Sequence, residues 1–92
     1  MRGEVIYVDR FGNLVTNVGR ETVDRLRHRR PTVRVADKAV GPIVTAYGAI
    51  ARGAAGAVVN SWDLLEIAVR DGSARDRLGV GVGEPVLIEV GG

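Results

Sequence analysis

The sequence has no cysteine and a single histidine among its 92 residues. Without cysteine there is no disulfide, no thiolate nucleophile and no zinc–thiolate site. One histidine cannot build a metal cluster. Aromatic residues are only 4% of the chain: one Phe, one Trp and two Tyr. That is too few for a row of stacking platforms along a nucleic-acid strand. Neither sign of charge dominates. Thirteen basic residues stand against eleven acidic ones, for a formal net charge of +2, too small to argue for a polyanionic partner. No apolar run reaches the ~18 residues that a membrane helix needs. Met1-Arg2-Gly3-Glu4 leads into no hydrophobic signal segment. These absences predict a cytoplasmic protein with no cofactor of its own and no membrane partner.

Hydrophobic residues make up 46% of the chain and charged residues 26%, the balance of a globular protein. The length predicts one domain over 1–92, able to bury about two-thirds of its unfolded surface. The stretch that organises the chain is Gly3 to Asn17, GEVIYVDRFGNLVTN. Val5, Tyr7 and Asp9 alternate with Ile6, Val8 and Arg10, which suits an extended strand. Asp9-Arg10-Phe11-Gly12-Asn13 interrupts with turn-forming residues, and Leu14 to Val18 resumes β-favouring chemistry. The crossing holds an acid, an aromatic, a glycine and an amide. An acid can take an ammonium group, a ring can stack on a base, and an amide can both donate and accept. Such groups suit recognition of a nucleoside or an amino acid better than bond-breaking.

Downstream, Glu21 to Arg29 reads as a short helix with Val23 and Leu26 on one buried face. Arg27, His28, Arg29 and Arg30 crowd its end, where cations suit the helix dipole. No aromatics are interleaved, so this run reads as a solvated terminus rather than a phosphate patch. Thr32 to Ala36 alternates as a strand, Asp37-Lys38 turns, and Gly41-Pro42 is expected to break the chain. Ile43 to Tyr47 is a further strand candidate, followed by a small-residue loop from Gly48 to Gly56. Ala57 to Ser61 and Leu64 to Val69 are strands around a Trp62-Asp63 turn. Ser73 can cap a short helix through Leu78, ended by Gly79. The last strand is Val86 to Val90. Gly79-Val80-Gly81-Val82-Gly83 is followed by Pro85 and a strand, so it lacks the helix N-terminus of a dinucleotide loop. Short strands parted by glycine-containing turns predict a mainly β fold, a small antiparallel barrel with short helices near 21–29 and 73–78.

The string DRFGN followed by LVTN resembles the start of the C-terminal domain of the S-adenosylmethionine (SAM) hydroxide adenosyltransferases, or SAM hydrolases, a domain shared with the fluorinases and chlorinases. Asn60 to Val69, then Gly72-Ser73-Ala74 with Leu78-Gly79, then Val82-Gly83-Glu84-Pro85-Val86 match the same domain in order. The resemblance implies a β-barrel that binds SAM or adenosine as substrate, in an enzyme giving adenosine and methionine. It implies that Asp9 holds the amino group of the methionine portion; the other reading of Asp9 is a turn-capping aspartate. Phe11 matches an aromatic beside the nucleoside, or packs in the core. Asn13 matches an amide that recognises the nucleoside, or serves as a left-handed turn residue. Tyr47 approximates an aromatic flanking adenine, although Ala46 parts it from Thr45 where the family has the pair adjacent. Ser61 matches a carboxylate-binding serine, and Trp62 fills the variable next slot, to cover the ligand or pack at a strand corner. Asp63 stands where glycine is frequent, and Arg70-Asp71 where asparagine-glycine is frequent; Arg70 thus joins the candidate contacts through its backbone. Glu66 reads as a partly buried acid paired with an arginine.

No residue here is expected to be catalytic. The resemblance places the water-activating groups in a larger N-terminal domain of the same enzyme, which these 92 residues do not include. It also implies a homo-oligomer in the full-length context. The alternative reading is a stand-alone barrel that binds a nucleoside, a nucleic acid or a protein.

Overall fold

Alternating apolar residues set the strands, and the computed structural model describes them over residues 1–91. Strands β1 (Arg2–Val8) and β2 (Leu14–Gly19) come first, then helix α1 (Arg20–Leu26), which runs into a 3₁₀ turn at Arg27–Arg29. Strands β3 (Thr32–Val35) and β4 (Lys38–Val44) form a hairpin; β5 (Ala55–Val59) and β6 (Leu64–Val69) form another. Helix α2 (Ala74–Leu78) and strand β7 (Pro85–Glu89) complete the chain. The strands close into a barrel in the order β1-β2-β6-β5-β4-β3-β7. Six of the seven pairings are antiparallel, and the β4–β5 pairing is parallel. Among the described residues, closure leaves no sheet edge open for pairing with another chain.

The barrel interior is filled by aliphatic side chains, among them Val5, Leu14, Val18, Val33, Val35, Leu65, Ile67, Val86 and Ile88. Val23 of α1 and Leu78 of α2 join this cluster, and Leu26 packs against it. Both short helices are thus stabilised by burial, since neither is long enough to persist alone. Among the described residues, Thr16 is the one buried polar residue. Its hydroxyl donates to the Leu65 carbonyl at 2.8 Å and accepts from the Val18 amide at 3.1 Å. It therefore bridges the register irregularity between β2 and β6 with its hydrogen-bonding capacity satisfied.

The parallel β4–β5 pair departs from the all-antiparallel barrel expected. The strand expected at Ile43 to Tyr47 is β4 at Lys38–Val44, with Tyr47 in a 3₁₀ turn. Two further expectations change. Plain alternation puts Val5 and Tyr7 on one face, yet Val5 is buried and Tyr7 is exposed. Val5 pairs with Thr16 and Tyr7 with Val15, so β1 carries one extra residue there. That bulge turns Tyr7 to the outside. Likewise Gly41-Pro42 does not break the chain. Both residues lie inside β4, opposite Val33 and Thr32. The ladder is irregular between Val33 and Arg34, and Gly41 has φ of 118°, so the strand bends and proceeds.

From Val44 the chain crosses to β5 on the outer face of the barrel. Ile50 is buried there, over Gly56 of β5, where an added Cβ would sit 2.6 Å from Ile50 Cγ1. Ser73 caps α2 by accepting from the Asp76 amide, and Gly79 ends it in the left-handed conformation, both as the sequence suggests.

Gly12 and Gly53 separate two costs of adding a side chain. Both have positive φ, 82° and 75°. A Cβ at Gly53 meets nothing within 4 Å, whereas one at Gly12 overlaps the Ser73 hydroxyl and lies 2.7 Å from its Cβ. Gly53→Ala is expected to cost about 1 kcal/mol, from conformation alone. Gly12→Ala is expected to cost about 3 kcal/mol, the excess coming from overpacking. Urea denaturation of both variants checks the difference.

Candidate functional site

Two loops of the barrel are built on one plan. In the β1–β2 loop, Asp9 Oδ1 accepts from the Phe11 amide at 2.8 Å and the Asn13 amide at 3.0 Å. The Asp9 amide donates to the Asn13 carbonyl, and the Gly12 amide donates to the Asp9 carbonyl. In the β5–β6 loop, Asn60 Oδ1 accepts from the Trp62 amide at 2.9 Å and the Leu64 amide at 3.1 Å. The Asn60 amide donates to the Leu64 carbonyl, and the Asp63 amide donates to the Asn60 carbonyl. The fourth position is left-handed in each: Gly12 has φ of 82° and Asp63 of 63°. Asp63 therefore keeps the turn that glycine would give, as an aspartate can in this region.

The third position of each loop is an aromatic residue turned to solvent. Phe11 is 64% exposed and Trp62 69%. Neither packs in the core or at a strand corner. Each loop is also pinned to the first turn of a helix. The Arg75 amide of α2 donates to the Gly12 carbonyl at 2.9 Å. The Arg20 amide of α1 donates to the Asp63 carbonyl at 2.8 Å, and Arg20 Nε donates to Asp63 Oδ1 at 2.7 Å. That side-chain hydrogen bond raises the Arg20 pKa above its ordinary value.

Strands β2 and β6 are antiparallel, so the two loops leave opposite ends of this part of the sheet. Between them, on its outer face, lies a cleft of about 360 Å³. Tyr7, Asp9, Arg10 and Phe11 border it from one side, and Asn60, Ser61 and Trp62 from the other. Val15 and Glu66, paired across β2 and β6, form its floor. A second cleft of about 420 Å³ is lined by Phe11, Asn13, Tyr47, Asp71 and Gly72. Phe11 is the wall that the two share.

The structure thus brings Asp9, Phe11, Ser61 and Trp62 to one cleft, and Asn13 and Tyr47 to its neighbour. Asp9 is a turn-capping aspartate: its two oxygens take three donors, the third being Asn13 Nδ2 at 3.0 Å. Arg70 lies outside both clefts. Its guanidinium donates to the Gly48 and Ile50 carbonyls and holds the crossover segment. Its backbone is also engaged, with Ala54 and Gly53. Glu66 corrects its sequence reading. Its partner is Asn60 Nδ2 at 3.1 Å, with no arginine paired to it among the described residues, and it faces the cleft.

Sequence reasoning missed Tyr7, Arg10, Asn60 and Glu66 as cleft residues. For Asn60 a signal was present. Asn60-Ser61-Trp62-Asp63-Leu64 repeats the Asp9-Arg10-Phe11-Gly12-Asn13 order of cap, polar residue, aromatic and left-handed turn residue. His28 sits in the 3₁₀ turn after α1 and lines neither cleft.

Residues 3–87 match the model of the SAM hydroxide adenosyltransferase C-terminal domain. The chain belongs to that family. It is 40% identical, over 86 residues, to an (R)-S-adenosyl-L-methionine hydrolase of Thermus thermophilus, covering 94% of this chain and 31% of that protein. Among solved structures, it is similar to an uncharacterized conserved protein from Thermotoga maritima. That match has TM-score 0.83 and 33% identity, over 96% of this chain and 35% of the other. It is also similar to a conserved hypothetical protein from Thermus thermophilus, with TM-score 0.71 and 36% identity, over 96% and 32%. The chain spans about a third of the length of these relatives.

The capping scheme makes a charge-specific prediction. Asp9→Asn keeps the Oδ1 acceptor and is expected to be mild. Asp9→Ala and Asn60→Ala each strand two amides and are expected to cost about 1–2 kcal/mol. Asn60→Asp keeps the acceptor but sets a second carboxylate against Glu66, so its penalty is expected to fade as pH falls through the carboxylate range. Thermal melts of the four variants between acid and neutral pH check this.

Proposed function

We propose that this barrel is the substrate-binding C-terminal domain of a SAM-hydrolysing enzyme that yields adenosine and methionine. The observation that carries the reading is the pair of adjoining clefts divided by Phe11. A two-part ligand, amino acid on one side and nucleoside on the other, has a matching two-part site. Family membership and the SAM hydrolase relative supply the ligand.

In this reading the Asp9–Ser61 cleft takes the methionine portion. Three of the roughly four acceptor sites of Asp9 are filled by its own loop, and the remaining one, on Oδ2, takes the ammonium. The Ser61 hydroxyl donates to the carboxylate, and Trp62 covers the chain between. The Asn13–Tyr47 cleft takes the nucleoside. Asn13 gives one N–H to Asp9, and its carbonyl and second N–H remain for the base. The Tyr47 hydroxyl donates to the Val69 carbonyl at 3.4 Å and accepts from the Asp71 amide at 3.2 Å. Those contacts fix the ring as a flank for adenine. Arg70 acts at a distance, by holding the segment that carries Tyr47.

Binding and orientation are what these residues supply. Displacing methionine from the ribose carbon needs a water held in line, in a pocket closed to bulk solvent. Both clefts are open to the surface. The second wall, and the groups that activate water, belong to the N-terminal domain of the same enzyme, working as a cytoplasmic homo-oligomer.

The pure chain is expected to bind adenosine weakly and to release none from SAM. Calorimetric titration with adenosine and chromatography of a SAM incubation test both halves. Release above the buffer rate that Asp9→Ala or Asn13→Ala abolishes would overturn the division of labour. No response to adenosine would overturn the binding reading.

A further inference from the structure

The first cleft is unusual in what surrounds it. Three of the four aromatic residues in the chain, Tyr7, Phe11 and Trp62, border it. All three rings are largely open to solvent, at 51%, 64% and 69%. A protein this poor in aromatics has placed them where they bury little surface in the fold. Two carboxylates, Asp9 and Glu66, share the cleft. Neither is paired with a lysine or arginine among the described residues. Asp9 commits three acceptor sites to its own loop, and Glu66 Oε1 takes Asn60. The cleft therefore holds two carboxylates without a paired cation, each with acceptor sites still free.

Aromatic faces attract cations through the ring quadrupole and need no hydrogen bond to do so. One ring here already does this. The Arg10 guanidinium carbon stands 4.9 Å from the centre of the Phe11 ring. Phe11 and Trp62 occupy the same position in two loops of the same geometry, on opposite sides of the cleft. An ammonium ion carries N–H groups that want acceptors. An onium centre, a sulfonium or a quaternary ammonium, carries none. It suits aromatic walls over a carboxylate-lined floor better than any neutral group of the same shape.

We propose that this cleft reads the permanent positive charge of an onium ligand, with Phe11 and Trp62 as facing cation–π walls and Asp9 and Glu66 supplying the field. This rests on the SAM-binding reading for the identity of the ligand, SAM being a sulfonium. It adds that the domain itself distinguishes the charged sulfonium from the uncharged thioether left once the methyl group is gone. Arg10, lying on Phe11, is the resident cation that the ligand replaces or joins.

Isothermal titration calorimetry of the 92-residue chain against SAM and S-adenosylhomocysteine, at one pH and ionic strength, tests the proposal. The two ligands differ by a methyl group and its charge. SAM is expected to bind more tightly on the order of fivefold, the discrimination that about 1 kcal/mol of cation–π attraction gives at an exposed site. Phe11→Leu and Trp62→Leu, each shown folded by circular dichroism, are expected to weaken both ligands but SAM more, bringing the ratio towards one. Measurable but equal affinity for the two ligands overturns charge reading and leaves the SAM-binding proposal standing. A preference unchanged in both leucine variants overturns the aromatic walls. Heat from neither ligand in the millimolar range overturns both proposals.

Discussion

One side-chain oxygen accepting two backbone amides is the interaction on which the cleft-bearing face depends. It occurs twice, at Asp9 and at Asn60. Each instance closes a five-residue loop whose amides would otherwise lack partners. Each forces the fourth residue into the left-handed region and turns the third outward. The remaining contacts follow from this. The Gly12 carbonyl is free to receive α2, and the Asp63 carbonyl to receive α1. Both helices are therefore seated by the loops as well as by their buried residues.

The barrel provides the distance between the loops. They leave opposite ends of the antiparallel β2–β6 pair, so the cleft between them is framed by the length of those strands. Val15 and Glu66, opposite one another in that pair, form the floor. Thr16, next to Val15, keeps the irregular ladder satisfied from within. The parallel β4–β5 pairing requires a crossover, and that crossover brings Tyr47 to the second cleft. Ile50 over Gly56 and Arg70 on the Gly48 and Ile50 carbonyls hold the crossover down.

What was legible in the sequence was local. The Asp9 loop, the Ser73 cap, the Gly79 stop and most strands are set by neighbours a few residues apart, where turn chemistry and alternation speak directly. Three features were hidden because their causes are distant. Glu66 looks like an acid awaiting an arginine until the β5–β6 hairpin sets Asn60 beside it. Tyr7 changes face through a bulge that only pairing with β2 reveals. Pro42 looks like a breaker, yet barrel closure carries β4 through it. The candidate site was half legible. Asp9, Phe11, Asn13, Ser61 and Trp62 came from family likeness and do border the clefts, whereas Arg70 serves the crossover instead.

The two aromatic positions are bound into their loops only by backbone. The Phe11 and Trp62 amides complete the capping, while their rings take no part in it. Frame and display are therefore separable in this domain. A chain that keeps the capping residue and the left-handed fourth residue is free to change the third, with little effect on folding. The rings that border the cleft can then differ between barrels of this build while the frame stays as it is. The outermost side chains, which look most like decoration, are the ones through which such a fold acquires new chemistry.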